Sequence, residues 1–432
     1  MEYIAYAIPL IIFVAWYGVR RRQLQRVSIA TRQETIESGL TEPASLHPVI
    51  DPVKCIGCGS CIKACPEMPE HTVIGMIRGK AELVSPSECI GHGACKTACP
   101  ADAIQLVFGS AKRGVDIPKV TPYFESNVGG IFIAGELGGM GLIRNAIEQG
   151  RQAVEAIASR RPRGKGEELD LVIVGAGPAG FSASLEAMSR KLRFVTVEQE
   201  SLGGCVFQYP RGKIVMTQPA TLPIVGAVRI TLTTKEELLK FWLDVQQRTG
   251  LKIRCNERVD AIQRDGNSFR VRTSKGELRA ASVLLAVGRR GTPRKLGVPG
   301  EDTSKVVYRL IDPEQYARQR VLVVGGGDSA LEAAASLAEC GTKVALSYRG
   351  DAFQRAKTRN RQRVNESVQK GALQLLLKSE VKAIAADRVA LVQNERGLQL
   401  PNDAVIISAG GILPTDFLKS IGVEVETKWG TA

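Results

Sequence analysis

The sequence predicts an α/β protein in which one strand–loop–helix domain is inserted into another, preceded by a small α+β domain and an apolar helix. Two glycine-rich motifs, each following an apolar strand, predict the two large domains. Seven of the ten cysteines recur at short, repeated spacings and predict the small domain. With 432 residues and 44% hydrophobic content, the chain is long enough to form several cores.

The composition limits the classes of partner. The chain has 58 Lys and Arg against 44 Asp and Glu, a net charge of +14, which favours anionic ligands, lipid headgroups or acidic proteins. No nucleic-acid recognition motif accompanies this charge, so we expect no nucleic-acid partner. Because the cysteines are clustered at metal-site spacing, they indicate a reducing compartment.

The N-terminal stretch 3–19, YIAYAIPLIIFVAWYGV, is apolar and is followed by three arginines at 20–22. At about 1.5 Å per residue it spans about 25 Å, the short end of a membrane span. The arginines predict an uncleaved single-pass transmembrane anchor at 1–24 in the inner membrane, with the later domains in the cytoplasm. A buried N-terminal helix is the alternative. The polar residues 25–48 predict a linker, or a short helix followed by a loop.

Residues 49–110 contain two matching stretches, CIGCGSCIKACP (55–66) and CIGHGACKTACP (89–100). The CxxCxxCxxxCP spacing is typical of iron-sulfur sites, because it curls the backbone around a cluster. A zinc site is the alternative, although zinc does not require two such runs. The candidate ligands are Cys55, Cys58, Cys61, Cys65, Cys89, His92, Cys95 and Cys99.

This region resembles a bacterial two-cluster 4Fe-4S ferredoxin. The resemblance implies a crossed pattern, in which the last cysteine of each run binds the other cluster. Cluster one would take Cys55, Cys58, Cys61 and Cys99, and cluster two Cys65, Cys89, Cys95 and the residue at 92. His92 departs from the pattern. Either its neutral imidazole completes cluster two and makes it easier to reduce, or cluster two is a 3Fe-4S cluster.

The first glycine motif, DLVIVGAGPAG (170–180), joins an apolar strand to a helix, and the next strand ends at Glu198. Such glycines permit a tight turn and close approach of the backbone to a pyrophosphate, and the acid accepts ribose hydroxyls. We predict a dinucleotide-binding domain at 168–295. Its candidate binding residues are Gly175, Gly177, Pro178, Ala179, Gly180 and Glu198.

The second motif, VLVVGGGDSALEAA (321–334), predicts another dinucleotide-binding domain at 296–400. Here the following strand ends without an acid and carries Arg349, with Arg355 shortly after. Arginines at this place favour the 2′-phosphate of NADP(H), while NAD(H) and a solvated basic loop remain alternatives. The other candidate binding residues are Gly325, Gly327, Asp328, Ser329 and Ala330.

The two Rossmann-like domains, with the return segment DAVIISAGGILPTDFL (403–418), resemble the thioredoxin reductase branch of two-dinucleotide flavoproteins over about 168–432. The resemblance implies FAD in the first domain, NAD(P)H in the second, and a return to the FAD domain at 401–432. The segment that normally closes this fold, T…GIFxAGD, appears instead at 121–158, with Gly135 and Glu136 in its last two positions. We interpret 111–162 as a permuted FAD-domain segment; an unrelated strand and helix is the alternative.

The family's CxxC disulfide is absent from YRLIDPEQYARQR (308–320), which precedes the second glycine motif. Cys205, in LGGCVFQYP, has no partner cysteine near it in sequence, so dithiol exchange is not expected. We interpret Cys205 as a small packed side chain, and a single-thiol role near the flavin is the alternative. FAD is the group that exchanges electron pairs with a nicotinamide and single electrons with a cluster. No side-chain nucleophile or general base is therefore expected.

Together these expectations describe a membrane-anchored flavin and iron-sulfur oxidoreductase. Electrons would pass, in either direction, between NAD(P)H and a membrane-associated carrier such as a quinone, a cytochrome or a membrane complex. The alternatives are a reductase with a soluble acceptor, ferredoxin-NADP reductase-like or disulfide-directed, and a membrane-tethered redox sensor. Membrane lipid is a further expected partner, and the family resemblance leaves a homodimer open.

Overall fold

The computed structural model describes residues 2–43, 46–68, 71–111, 114–139, 141–160, 164, 166–216, 219–230, 232–289, 291–353 and 356–430. The chain forms two compact units. The first comprises 1–115 together with 352–361 and 428–432, and the second comprises 116–351 and 362–427.

The first unit consists of a long helix and a small α+β domain. Its elements are α1 (Glu2–Glu37), β1 (His47–Ile50), α2 (Ser60–Lys63), β2 (Ile74–Ile77), β3 (Lys80–Leu83), a 3-10 turn (Pro86–Glu88), α3 (Ala94–Thr97) and β4 (Ile104–Val107). Strand β1 pairs with β4 and β2 pairs with β3, both antiparallel. Each cysteine run contains one of the two short helices, α2 or α3, and only β2 and β3 form a hairpin, whereas β1 and β4 pair across the domain.

Helix α1 extends beyond the predicted apolar segment and packs on the cysteine domain. The Ser28 hydroxyl oxygen accepts a hydrogen bond from the Met76 backbone N–H at 2.9 Å. Arg32 forms an ion pair of 3.0 Å with Glu82 of β3. Of the segment 25–48, the residues up to Glu37 are helical, as in the alternative of a helix followed by a loop.

The structure does not support the predicted transmembrane anchor at 1–24. In the part of the chain that the structure describes, no helix is both long and apolar enough to cross a membrane. The side chains of residues 1–11, which form the first half of the predicted apolar stretch, lie outside the described residues.

The second unit begins at Asp116, within the segment 111–162 that we interpreted as permuted. This segment contains β5 (Val115–Pro118), β6 (Ile131–Ile133), a 3-10 turn (Glu136–Gly138) and α4 (Ile143–Arg160). The first dinucleotide domain continues with β7 (Leu169–Val174), α5 (Pro178–Ser189), β8 (Phe194–Val197), β9 (Ile214–Met216), β10 (Ala220–Leu222), β11 (Gly226–Val228), β12 (Leu232–Thr234), α6 (Lys235–Thr249), β13 (Ile253–Arg254), β14 (Val259–Asp265), β15 (Ser268–Thr273) and β16 (Gly276–Leu285).

The sheet of the first domain has the strand order β13-β8-β7-β16-β15-β14, and β6 also pairs with β16. Strands β6, β7, β8, β13 and β16 run parallel. The apolar residues 131–133 of β6, 171–174 of β7 and 283–285 of β16 are buried, as expected for the centre of a parallel sheet covered by helices. Helix α4 packs closely on α5, because a Cβ at Gly150 would lie 2.0 Å from the Ala179 carbonyl oxygen. The segment before the first glycine motif thus completes this sheet.

The second dinucleotide domain follows a short connecting strand, β17 (Thr292–Pro293). Its elements are β18 (Val306–Val307), a 3-10 turn (Pro313–Tyr316), β19 (Arg320–Val324), α7 (Asp328–Glu339), β20 (Lys343–Tyr348), α8 (Thr358–Gln369), β21 (Leu373–Leu377), β22 (Ser379–Ile384), β23 (Arg388–Gln393), β24 (Arg396–Pro401) and β25 (Ala404–Ile407). A parallel sheet of order β18-β25-β19-β20-β21 forms its core, beside the antiparallel sheet β22-β23-β24.

The chain then returns through β26 (Gly411–Ile412), α9 (Thr415–Ser420) and β27 (Val425–Lys428). Strand β26 pairs antiparallel with β17, so the two connections between the domains lie side by side. The return predicted at 401 is too early, because β25 still pairs with β19 of the second domain. An apolar run such as AVII suits a buried strand of either sheet, so its sequence alone did not assign it.

Candidate functional site

The two cysteine loops have the same backbone conformation. In each loop two glycines have positive φ angles, a region that glycine occupies without steric cost. These angles are 71° and 76° at Gly57 and Gly59, and 70° and 82° at Gly91 and Gly93. Each loop then enters a short helix, α2 or α3, of four residues. His92 therefore occupies the backbone position that Cys58 occupies in the first loop.

Four of the predicted ligands line one cavity of the first unit: Cys55, Cys58, Cys61 and Cys99. This is the crossed set that the ferredoxin resemblance implied for cluster one. Two backbone N–H groups point at the sulfur atoms, from Ala81 to Cys55 Sγ at 3.5 Å and from Ala103 to Cys99 Sγ at 3.3 Å. Such donors stabilise anionic sulfur, so the cavity fits a thiolate-bound cluster.

The protonation of these thiols fits the same conclusion. Burial, with the nearby charge of Cys55, raises the pKa of Cys61 to about 11. The positive charge of bound iron would stabilise several buried thiolates in one site, and metal binding would then release their protons. Among the described residues, no three His, Cys, Asp or Glu side chains converge on a single metal ion. A cluster does not require that, because its thiolates bind different iron atoms.

The second set of cysteines also combines the two runs. Burial raises the pKa of Cys89 to about 11, and the charges of Cys95 and Cys65 contribute. Burial likewise raises the pKa of Cys95, again with a contribution from Cys65. Cys65 of the first run is therefore close enough to act on both cysteines of the second. His92 lies half-buried in the loop between them, and its ligation of cluster two stays a prediction.

Replacing His92 with cysteine tests that prediction. If imidazole binds cluster two, a thiolate adds negative charge, and we expect the reduction potential to fall by on the order of 100 mV with a changed EPR spectrum. The matched control is Cys58→His, which makes the opposite exchange on the same backbone and should raise the potential of cluster one. Unchanged spectra and potentials in the His92→Cys protein contradict ligation.

A buried contact that the sequence did not reveal lies directly before Cys89. Glu88 Oε1 accepts hydrogen bonds from the Thr358 N–H at 2.8 Å and the Thr358 hydroxyl at 2.6 Å. Thr358 is the first residue of α8, so the carboxylate satisfies an N–H that has no partner within the helix. No sequence signal connects these residues, because they are 270 positions apart.

In the second unit, the first glycine motif forms the predicted turn between β7 and α5. Gly175 has φ 103°, and a Cβ at Gly180 would lie 1.8 Å from the Gly175 carbonyl oxygen, so both positions require glycine. At Gly177 an added Cβ would find nothing nearer than 3.9 Å. Pro178 and Ala179 begin α5, and the N-terminus of a helix attracts a phosphate group. The loop therefore fits a pyrophosphate.

Glu198 holds the loop from the end of β8. Its carboxylate is buried and accepts hydrogen bonds from the Ala176 N–H at 2.7 Å and the Glu200 N–H at 3.0 Å. A carboxylate has about four acceptor positions, so two remain for ribose hydroxyls. The turn at 203–204 faces this loop, where a Cβ at Gly204 would lie 3.0 Å from the Gly177 Cα, and neither glycine of the turn was among the predicted binding residues. The sequence signal for this turn was the pair of glycines in LGGC.

The segment that we interpreted as permuted brings Gly135 and Glu136 to the same loop. Gly135 has φ 83°, and its added Cβ would lie 2.9 Å from the Ala179 Cβ. Glu136 acts electrostatically on Arg289, whose pKa is lowered by burial, an effect that the Glu136 charge partly offsets. We did not predict Arg289. The doubled arginine in AVGRRG was the available signal.

The second glycine motif forms an equivalent turn between β19 and α7. Gly325 has φ 147°, and its added Cβ would lie 2.3 Å from the Ser408 carbonyl oxygen and 3.0 Å from the Ala330 Cβ. Asp328 and Ser329 form the first turn of α7. A Cβ at Gly327 would find open space. This loop, too, keeps one side free for a phosphate group.

Arg349 is exposed and directly follows β20. The preceding residue, Tyr348, places its ring against the second loop, because a Cβ at Gly326 would lie 2.2 Å from that ring. Arg349 therefore lies beside the loop, where the 2′-phosphate of NADP(H) was predicted. The other arginine predicted for this phosphate, Arg355, lies outside the described residues.

Comparisons with known proteins agree with this arrangement. Residues 172–431 match the family described as pyridine nucleotide-disulphide oxidoreductase, and residues 47–100 match the 4Fe-4S dicluster domain. The ferredoxin–NADP reductase of Ignicoccus hospitalis is 31% identical over 266 residues, which cover 60% of this chain and 83% of that protein. The ferredoxin–NADP reductase of Thermus thermophilus is 30% identical, covering 60% and 78%.

Among solved structures, the bacillithiol disulfide reductase Bdr of Bacillus cereus matches with a TM-score of 0.54 and 25% identity, covering 60% of this chain and 82% of that one. The bacilliredoxin reductase Bdr of Bacillus subtilis is 26% identical, covering 60% and 82%. Both the fold and the sequence thus place this chain in the pyridine nucleotide-disulphide oxidoreductase family, as a FAD-dependent NAD(P)H oxidoreductase that also carries a 4Fe-4S dicluster domain.

Proposed function

We propose that this chain transfers electrons between NADPH and a one-electron carrier protein, with FAD and the two clusters as the intervening groups. FAD supplies the exchange between electron pairs and single electrons. The observation that supports this proposal is the combination, in one chain, of two dinucleotide loops with a cysteine domain whose first cluster site reaches solvent at Cys58.

The relatives support a partner that carries single electrons. The reductases of Ignicoccus hospitalis and Thermus thermophilus are named for ferredoxin and NADP. This chain joins the same type of flavoprotein to a dicluster domain of its own. The reverse direction, from a reduced carrier to NADP⁺, uses the same residues.

The residues of this chain hold and tune the redox groups rather than react with the substrate. Cysteine thiolates bind iron, and the N–H groups of Ala81 and Ala103 stabilise two of the sulfur atoms. In the flavoprotein part, Gly177 and Gly327 leave open space beside helix N-termini that attract phosphate. Glu198 supplies acceptor positions for hydroxyl groups.

A disulfide-directed reductase is the second candidate, and the names of the Bdr relatives favour it. Against it, 308–320 contains no cysteine pair, and thiol exchange needs an attacking and a resolving thiol. Steady-state turnover with NADPH separates the two. We expect NADPH oxidation with a one-electron dye and none with a small disulfide. Turnover with the disulfide alone contradicts the proposal, and no turnover with either in cofactor-replete protein favours a redox sensor.

Arg349→Ala tests the proposed preference for NADPH. Arginine binds phosphate through charge-assisted hydrogen bonds, so its loss should raise the KM for NADPH about tenfold and leave the KM for NADH within about twofold. Steady-state kinetics with both nucleotides measure this change. Arg388→Ala, an exposed arginine of the same domain, is the matched control. An equal increase in the KM for NADPH and for NADH would show that Arg349 does not bind the 2′-phosphate.

The predicted inner-membrane location, the membrane-associated carrier and the homodimer rest on sequence alone. They stay predictions, and the proposed electron transfer does not depend on them.

A further inference from the structure

The loop that forms the first cluster site holds two apolar side chains out in solvent. Val53 is 89% exposed and Ile56 is 67% exposed. Asp51 fixes the turn that presents them, because its Oδ1 accepts a hydrogen bond from the Val53 N–H at 2.8 Å. Single exposed apolar residues are common, so their position is the informative feature. They flank Cys55, and beside them Cys58 is the one exposed residue of the eight predicted cluster ligands, all of which the structure describes.

Four basic residues surround this loop. Lys54 lies between the two apolar residues, and Lys80 donates a hydrogen bond to the Cys55 carbonyl oxygen. Arg78 is exposed in the β2–β3 turn, whose Gly79 carbonyl oxygen would lie 2.1 Å from a Cβ at Gly57. The guanidinium of Arg21 lies beside Gly57 and Gly79, 3.6 Å from either added Cβ. We call this surface the cluster-one rim, defined by Arg21, Val53, Lys54, Ile56, Arg78 and Lys80.

The positive charge of the rim is not neutralised within the first unit. Over the described part of the chain, no carboxylate forms an ion pair with the side chain of Arg21, Lys54 or Arg78. The carboxylates of Asp51, in the same loop, and of Glu82, in β3, have other partners. Asp51 holds the turn, and Glu82 forms its ion pair with Arg32. The rim thus combines an apolar centre with unpaired cations around an exposed cluster ligand.

We propose that the cluster-one rim is the docking surface for an acidic one-electron carrier protein, which rests on the proposed function above. Opposite charges steer the two proteins together, and the apolar centre excludes water where the redox groups approach. An acidic face on the carrier complements the four cations, and its apolar side chains cover Val53 and Ile56. An anionic lipid surface also attracts cations and apolar groups, but it gives no reason for an exposed cluster ligand at the centre.

The test measures binding of the cofactor-loaded full chain to an acidic [2Fe-2S] ferredoxin, at about 20 mM and about 200 mM NaCl. We expect binding to weaken at the higher salt concentration. The double variant Lys54→Glu/Arg78→Glu should weaken binding about tenfold and remove most of the salt dependence. Val53→Glu and Ile56→Glu should weaken it at least fivefold, and because both side chains are exposed, the fold should tolerate them.

Arg26→Glu is the matched control. It changes the same charge on the same helix as Arg21, but at 3.6 residues per turn it lies about 140° away around α1. Its affinity for ferredoxin should stay within about twofold of the unchanged protein. As a second control, a basic cytochrome c should show no salt-dependent loss of binding, because its charge has the same sign as the rim.

Equal ferredoxin affinity in the rim variants and in Arg26→Glu overturns the proposal. So does rim-dependent binding to phosphatidylserine vesicles without binding to ferredoxin, which assigns the rim to a lipid surface. Because binding requires no electron transfer, the outcome is independent of turnover. Rim-dependent binding in a protein whose clusters NADPH cannot reduce would contradict only the proposed function.

Discussion

Gly180→Val is expected to destabilise the first dinucleotide domain by more than about 3 kcal/mol and to abolish FAD retention. An added Cβ would lie 1.8 Å from the Gly175 carbonyl oxygen and 2.8 Å from its carbonyl carbon. Both atoms belong to the backbone, so α5 must move away from β7, and overpacking of this severity exceeds the usual cost of about 1–3 kcal/mol. Chemical unfolding followed by circular dichroism measures the change.

Gly177→Val is the control that separates folding from binding. The φ angle of Gly177 is −73°, which valine adopts readily, and the added Cβ would find no protein atom nearer than 3.9 Å. We therefore expect normal stability but FAD affinity reduced about tenfold or more, because the side chain fills the space left for the pyrophosphate. Unchanged FAD affinity in Gly177→Val would show that the pyrophosphate binds elsewhere.

Cys61→Ser is expected to remove the iron of cluster one and to stop electron delivery to a carrier protein. Cys61 is only 6% exposed and lines the cavity shared with Cys55, Cys58 and Cys99. Serine binds iron less well than a thiolate does, and the soft sulfur ligand is what selects an iron-sulfur cluster. NADPH oxidation with a dye that reacts at the flavin should continue at about the original rate. Iron analysis and the two turnover assays measure these effects.

Cys205→Ser is the matched control for this variant. Cys205 packs against the apolar core of the first dinucleotide domain, outside the cluster unit, and should keep both the iron content and the carrier reduction. Carrier reduction that survives in Cys61→Ser would show that electrons bypass cluster one. Loss of disulfide reduction in Cys205→Ser would support the disulfide-directed candidate instead.

The local turns were predictable from the sequence because their steric demands are strict. Gly175 and Gly325 adopt positive φ angles directly after buried strands, and carbonyl oxygens lie where their side chains would be. The paired glycines of the cysteine loops meet the same kind of demand. A motif of this type specifies its own conformation within a few residues, so one sequence is enough to identify it.

Features that depend on distant contacts were not predictable in the same way. In the helix that includes 25–37, Ser28 is hydrogen-bonded to β2 and Arg32 forms an ion pair with β3. The polar composition of this segment does not reveal these contacts. The contact between Glu88 and Thr358 joins residues that belong to two different sequence domains. The strand at 404–407 was assigned to the wrong sheet. A buried parallel strand has the same apolar sequence pattern in either of the two sheets.

The central claim is that NADPH, FAD and the two clusters form one continuous path for electrons. The most direct test is an EPR spectrum of the anaerobically purified protein, recorded as isolated and again after addition of NADPH alone, with the flavin absorbance followed in the same sample. We expect the flavin absorbance to bleach and reduced-cluster signals to appear together. Flavin that bleaches while the clusters stay oxidised would contradict the claim.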